Sequence, residues 1–230
     1  MSNPRIVSLI ASATEIVHAL GQLDHLVGRS HECDYPPAVA SLPVCTEPRI
    51  AVDGDSREID RLVRESMRDA LSVYRVFDNV LERLQPTHII TQVQCEVCAV
   101  SLRDVEQSIA RQLASAPRIV PLNPNTLAEI WDDIRRVARS LDIEEHGETV
   151  VARLQQSMRE ISARALAQPE RPRVACIEWL EPLMMAGNWT PQMVEMAGGV
   201  VQEIAFLIEL AFLNGREKLG NYPIYSMIQY

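Results

Sequence analysis

The 230-residue chain has no basic run anywhere, and its formal net charge is −9. That balance argues against nucleic acid or an anionic membrane as its main partner. The longest late apolar stretch, Ile204–Leu213, carries Glu209 and is too short to cross a bilayer, so no direct membrane insertion is predicted. A secretory leader is also missing from view. Arg5 is the only early basic residue, the short apolar run after it already reads as a strand, and no small-residue cleavage site follows. As written, the chain is predicted to be cytoplasmic. Its five cysteines (Cys33, Cys45, Cys95, Cys98 and Cys176) are odd in number, and only Cys95 and Cys98 are close together, which excludes a disulfide framework as the organising device.

The signatures of bond-making chemistry are missing too. There is no G-x-G-x-x-G, phosphate loop, H-E-x-x-H or G-x-S-x-G. His31-Glu32-Cys33 lacks the second histidine of a zinc-protease helix, and Asp53-Gly54-Asp55 lacks the remaining ligands of a calcium loop and reads as a turn. These absences predict a protein that is not an enzyme and requires no cofactor.

What is present is an ordinary globular composition, 47% apolar and 23% charged, enough for one large domain or two small lobes. Arg5–Ile10 reads as a buried strand, and Ser12 with Glu15 as a capping box opening a helix that ends at Gly21. Leu26–Arg29 is a second strand, and His31–Ser41 a loop. Helices are predicted over Ser56–Leu71, Asp78–Leu84 and Ser101–Leu113, with strands at Thr87–Thr91 and Arg118–Leu122. This alternation implies a parallel sheet covered on both faces. The segment Asn125–Gln168 has no strand. Thr126 and Glu129 form another capping box, and a long helix runs from Glu145 to Gln168, either a strut between lobes or a surface helix of one domain. Val174–Glu178 and Leu183–Ala186 are short strands, and Thr190-Pro191 starts a helix that stops at Gly198-Gly199.

Five blocks in order, RIVSLIASATEI, the loop with Asp34-Tyr35-Pro36-Pro37, SREIDRLVRESMRDALSVYRV, THIITQVQCEVCAVS and EWLEPLMMAGNWTPQMVEMAGG, resemble the cobalamin-binding substrate-binding proteins of ABC importers. The resemblance covers about residues 4–199. It implies an α/β fold of two Rossmann-like lobes joined by one long helix, with ligand in the cleft between them. The corresponding division is an N-terminal α/β lobe over 1–123, a helical connector over 124–168, and a partial C-terminal lobe over 169–230. The stretch after Gly199, VVQEIAFLIELAFLNGREKLGNYPIYSMIQY, falls outside the pattern and reads as one apolar helix with a frayed tail. A truncated or frameshifted copy with an incomplete second lobe is the corresponding expectation.

By this resemblance cobalamin or a related corrinoid is the bound ligand, an ABC permease the partner, the periplasm the location, and the protein a monomer. Tyr35, Asp34, Cys95, Trp179 and Trp189 are the candidate ligand contacts, since a corrinoid calls for aromatic and apolar walls with a few aimed polar groups. Asp104 and Glu106 are candidates for permease docking, although acidic residues at a helix start also suit the helix dipole. His31, Cys33, Cys95 and Cys98 sit in loops expected at one rim of the sheet and could form a zinc set or offer an axial ligand. Three alternatives stay open: an iron–siderophore or haem on the same fold, a cytoplasmic metal or thiol protein built on those four residues, and a degraded gene product that binds nothing.

Overall fold

The computed structural model describes residues 3–68, 73–93, 105, 116–169, 173–201, 204–209 and 224–229. The chain divides into two compact units, Met1–Arg153 and Leu154–Tyr230.

In the first unit the elements run β1 (Ile6–Ser8), α1 (Ala11–Ala19), β2 (Leu26–Arg29), β3 (Thr46–Pro48), α2 (Ser56–Arg68), β4 (Tyr74–Val76), α3 (Asp78–Leu84), β5 (His88–Gln92), β6 (Arg118–Leu122), α4 (Leu127–Ser140) and the start of α5 (Glu144–Leu166). Four parallel strands lie in the order β2-β1-β5-β6, with Val7 opposite both Gly28 and Ile89, and Ile89 opposite Ile119. The chain therefore steps from β1 to one side and then crosses to the other. That places a topological switch between β1 and β5, where loops at the carboxyl ends of the strands diverge. Val7, Ile89 and Ile119 pack with Leu81, Val80 and Leu84 of α3 on one face. Strand residues alternate, so the fully buried Ile6 and Ile90 take the opposite face. Helix α1 packs against β1 and α4, and α4 packs against β6. The expected α/β fold with a covered parallel sheet is present.

Gly28 permits the tight side of this arrangement. A Cβ there would lie 2.6 Å from Leu84 Cδ1 and 2.7 Å from Cys45 Sγ, so only glycine lets β2 run this close to α3.

One local reading is corrected, one pairing is new, and one predicted helix is left untested. Helix α1 begins at Ala11 with Ile10 as its N-cap and no side-chain cap, so the Ser12–Glu15 box does not form. Strand β1 runs almost directly into the helix, which places Ser12 already inside the first turn. The antiparallel pair β3–β4, with Thr46 opposite Val76, has no counterpart among the expected elements. Its strands are three residues each, too short to show an alternation. The predicted helix over Ser101–Leu113 lies outside the described residues except at Val105, which is helical and fully buried.

The second unit contains the rest of α5, an antiparallel pair β7 (Ile177–Trp179) and β8 (Met184–Met185), helix α6 (Thr190–Met196), and a parallel pair β9 (Ile204–Glu209) and β10 (Ile224–Gln229). The expected apolar helix after Gly199 is overturned: Ile204–Glu209 is a strand. A short apolar run does not by itself distinguish strand from buried helix, and the isoleucine-bearing six-residue segment takes the extended form. Pro191 is the one buried residue among those of this unit whose burial is described.

Candidate functional site

The candidate site is the carboxyl rim of the first unit's sheet, and the loop after β2 dominates it. That loop leaves at Ser30 and returns beside its own start, because Arg29 N–H donates to Pro43 O (3.0 Å) and Cys45 N–H donates to Arg29 O (2.7 Å). Within the loop the Arg29 guanidinium donates to three carbonyls, those of Ser30 (3.0 Å), Cys33 (3.0 Å) and Ala40 (3.3 Å). Cys33, Pro36 and Val39 are buried anchors. Between the first two, Asp34 and Tyr35 point outward, with Tyr35 54% exposed. The Tyr35–Pro36 peptide is cis. The Tyr35 ring meets His18 of α1 edge-on, with centroids 5.9 Å apart.

His31 begins the same loop. Its backbone N–H donates to Thr46 Oγ1 (3.1 Å), and its ring Nδ1 lies 2.8 Å from that same oxygen. The ring tilts against Tyr74 at 5.3 Å, and Tyr74 O–H donates to Glu32 Oε1 (3.2 Å). Burial outweighs the nearby Glu32 carboxylate and holds the imidazole below its ordinary pKa, so the neutral form is favoured. Cys33 is withdrawn instead. It is 1% exposed, with Sγ 3.1 Å from Thr14 Oγ1, which in turn lies 2.8 Å from Ser8 Oγ.

The loop after β6 is fixed by two carboxylates. Asn123 N–H donates to Asp133 (3.2 Å), and Asp133 also pairs with Arg136. Glu129 accepts from the backbone of Asn125 (2.6 Å) and Thr126 (2.9 Å), which depresses its pKa. This is the predicted capping box, complete in both directions. The loop after β5 begins at Val93 and then enters residues outside the description. Cys95, Cys98, Asp104 and Glu106 all fall there.

Among the described residues, no group of three His, Cys, Asp or Glu side chains could hold a metal ion. In the second unit, Trp179 lies in β7 and donates from Nε1 to Glu181 O (2.9 Å), while Trp189 is the N-cap of α6; both are half-buried. Sequence reasoning missed His18, Arg29, Thr46 and Tyr74. The one signal available was Arg29 itself, a charged residue closing a strand just before a long polar loop.

No protein-family model matches the chain. Solved structures match it closely in fold. The periplasmic haem-binding protein RhuT of Roseiflexus sp. RS-1 in apo form aligns at TM-score 0.56 with 19% identity, covering 99% of this chain and 90% of its own. The periplasmic vitamin B12-binding protein BtuF of Vibrio cholerae aligns at TM-score 0.55 with 21% identity, covering 97% and 87%. The haem-binding HutB of Vibrio cholerae aligns at 0.59 with 20% identity, covering 86% and 65%. The fold is thus the α/β fold of these periplasmic binding proteins. Curated relatives match only a short piece. The adenine phosphoribosyltransferase of Roseiflexus sp. (strain RS-1) is 74% identical over 39 residues, 17% of this chain and 23% of that enzyme. That of Clostridium botulinum (strain Eklund 17B / Type B) is 56% identical over 58 residues, 25% and 34%. The chain spans about a third or less of the length of these two relatives.

Proposed function

We propose that the protein binds a metal-bearing tetrapyrrole, a corrinoid or haem, as the substrate-binding component of an ABC importer. The observation that carries this reading is the outward Asp34-Tyr35 pair, held between buried Cys33 and Pro36 at the carboxyl rim of a parallel sheet. An exposed aromatic ring backed by His18 offers a flat apolar wall, and its phenol offers an oxygen ligand to a ferric centre. His31, neutral and half-buried on the same loop, is a candidate second ligand. Trp179 and Trp189 are further proposed contacts. Asp104 and Glu106 are proposed for permease docking, a role that would place the protein in the periplasm. Titration with hemin and with cyanocobalamin, read by visible absorption and by melting temperature, tests the reading. Binding of either, weakened at least about tenfold in Tyr35→Ala, supports it. If the melting temperature is unmoved by an excess of both, the reading is wrong; a shift with a ferric siderophore alone would assign the other ligand class.

A second reading concerns the end of the chain, and the short phosphoribosyltransferase match favours it. We infer that this match lies in the C-terminal stretch. Val200–Tyr230 is the part that the binding-protein blocks leave unassigned, and a match of 39 residues would occupy it together with the end of the helix before it. The β9–β10 pair joins no other strand among the described residues, as a segment taken from a different sheet would. On this reading the chain joins a binding-protein fold to a piece of a nucleotide-forming enzyme. A direct assay for AMP formation from adenine and phosphoribosyl pyrophosphate discriminates: no turnover is expected of a piece this small, and turnover would give the enzyme reading precedence.

A further inference from the structure

We infer that Arg29 is a positioning residue for the ligand loop, setting the placement of Tyr35 through the loop's backbone. The inference rests on the reading of Tyr35 as a ligand contact. The loop from Ser30 to Leu42 has little regular structure to hold it: a turn closed by Cys33 N–H donating to Ser30 O (3.3 Å), and a short 3-10 turn over Pro37–Ser41. Its two limbs are joined from the inside by a single side chain. Arg29 Nη1 donates to the carbonyls of Ser30 and Cys33 on the outgoing limb, and Nη2 donates to Ala40 on the returning one. Asp34 and Tyr35 lie on the span between the bonded carbonyls of Cys33 and Ala40.

The chemistry suits this job and not ion pairing. No carboxylate lies within salt-bridge distance of Arg29 among the described residues, and Nε is buried without a partner. A planar fork reaching three carbonyls on two limbs cannot be copied by lysine, whose compact ammonium has a different donor geometry. Half-burying a cation, with its Nε fully withdrawn from water and its side-chain bonds all to carbonyls, is unfavourable unless those bonds secure something. Here they secure the loop conformation that presents the Tyr35 ring edge-on to His18.

The test uses the full chain with Arg29→Lys, Arg29→Met, Tyr35→Ala and each double variant. Amide hydrogen exchange, measured without ligand, should rise at least tenfold over Ser30–Leu42 in Arg29→Lys while β1 and β5 stay protected. Affinity for whichever of hemin and cyanocobalamin binds should fall about tenfold or more in Arg29→Met, and less than twofold when Tyr35 is already alanine. Should Arg29→Met not fold, Arg29→Lys supplies the same comparison with the same expected direction. An equal loss of affinity in both backgrounds would overturn the inference, as would unchanged exchange over the loop. Faster loop exchange in a protein that binds neither tetrapyrrole would leave Arg29 as the holder of the loop and remove the proposed function instead.

Discussion

Cys33 and Cys45 are thiols in name more than in reactivity. Both are free and buried, and burial pushes the Cys45 thiol up to about 12, far from the thiolate that reacts. Cys176 is half-buried. Alkylation of the native protein, read residue by residue from peptide masses, should therefore modify Cys176 while sparing Cys33 and Cys45 until the chain unfolds. Rapid native labelling of Cys33 would contradict its seat against Thr14. His88 supplies a pH dependence. Its Nε2–H donates to Ser140 O (2.9 Å), tying β5 to the end of α4, and burial, outweighing that bond, lowers its pKa from 6.5. His31 is lowered for the same main reason. The unfolded chain therefore takes up these protons first as pH falls. The contribution of the two imidazoles to stability is complete above about 6.5 and is lost progressively below it, down through their folded-state values. The urea midpoint should be lower at about pH 5.5 than at about pH 7.5, and His88→Gln should flatten that difference. A midpoint independent of pH over that interval would show that neither ring is held neutral by the fold.

At the scale of elements, the crossing of α4 and α5 turns on one glycine. A Cβ at Gly147 would collide with the Cβ of Ala138, an atom fixed to the helix backbone that cannot swing aside. Alanine in a helix interior is otherwise favoured over glycine by about 1 kcal/mol, whereas overpacking of this kind costs about 1–3 kcal/mol. The close contact with a fixed atom puts the overpacking near about 2–3 kcal/mol, so after the propensity gain Gly147→Ala should lower stability by about 1–2 kcal/mol in denaturant unfolding, where an exposed helix site would have gained. Thr126→Ala should lose about 1 kcal/mol or slightly less, because Glu129 still accepts from the Asn125 and Thr126 amides after the hydroxyl is gone. These helices also show what a sequence can and cannot convey. The Thr126–Glu129 box was legible because a loop precedes it, leaving the threonine free to cap. Ser12 and Glu15 have the same spacing and form no box, because β1 ends only two residues before the helix begins and the cap position passes to Ile10. The strand Arg118–Leu122 was readable to the residue from its own composition. Strand β9 was not: with no alternation to read, an apolar run takes its conformation from a partner, here β10, lying beyond a 14-residue gap in sequence.

At the scale of the whole molecule, the distribution of buried apolar residues decides where the chain is firm. Among the residues whose burial is described, the buried hydrophobic positions run from Ile6 to Val151, all within the first unit, whereas Val174, Leu180, Leu183 and Val200 of the second are each more than half exposed. The four-stranded sheet of the first unit was legible for the same reason: its strands have apolar centres at Val7, Ile89, Ile90 and Val120, as a doubly covered sheet requires. Its rim was only half legible. Tyr35 could be picked out as an aromatic that a polar loop does not need, but His18, Thr46 and Tyr74 come to it through pairings distant in sequence that no local pattern reveals. Helix α5 allows the difference between the units to be measured within one hydrogen-bond ladder. Gly147, Val150 and Val151 are its buried residues, while Ile161 and Leu166 are half or more exposed. Opening free energies follow burial more than the presence of a helical bond, since most helical stability comes from the packed face. Native-state hydrogen exchange should therefore show strong protection for the amides from Val150 to Leu154. It should fall by at least about tenfold toward Ile161–Leu166, well before simple fraying of the last turn would account for it. Uniform protection to Leu166 would mean that the second half of α5 is held by something other than apolar burial of the kind seen at Val150 and Val151. The strong contrast between the two units would then have to be given up.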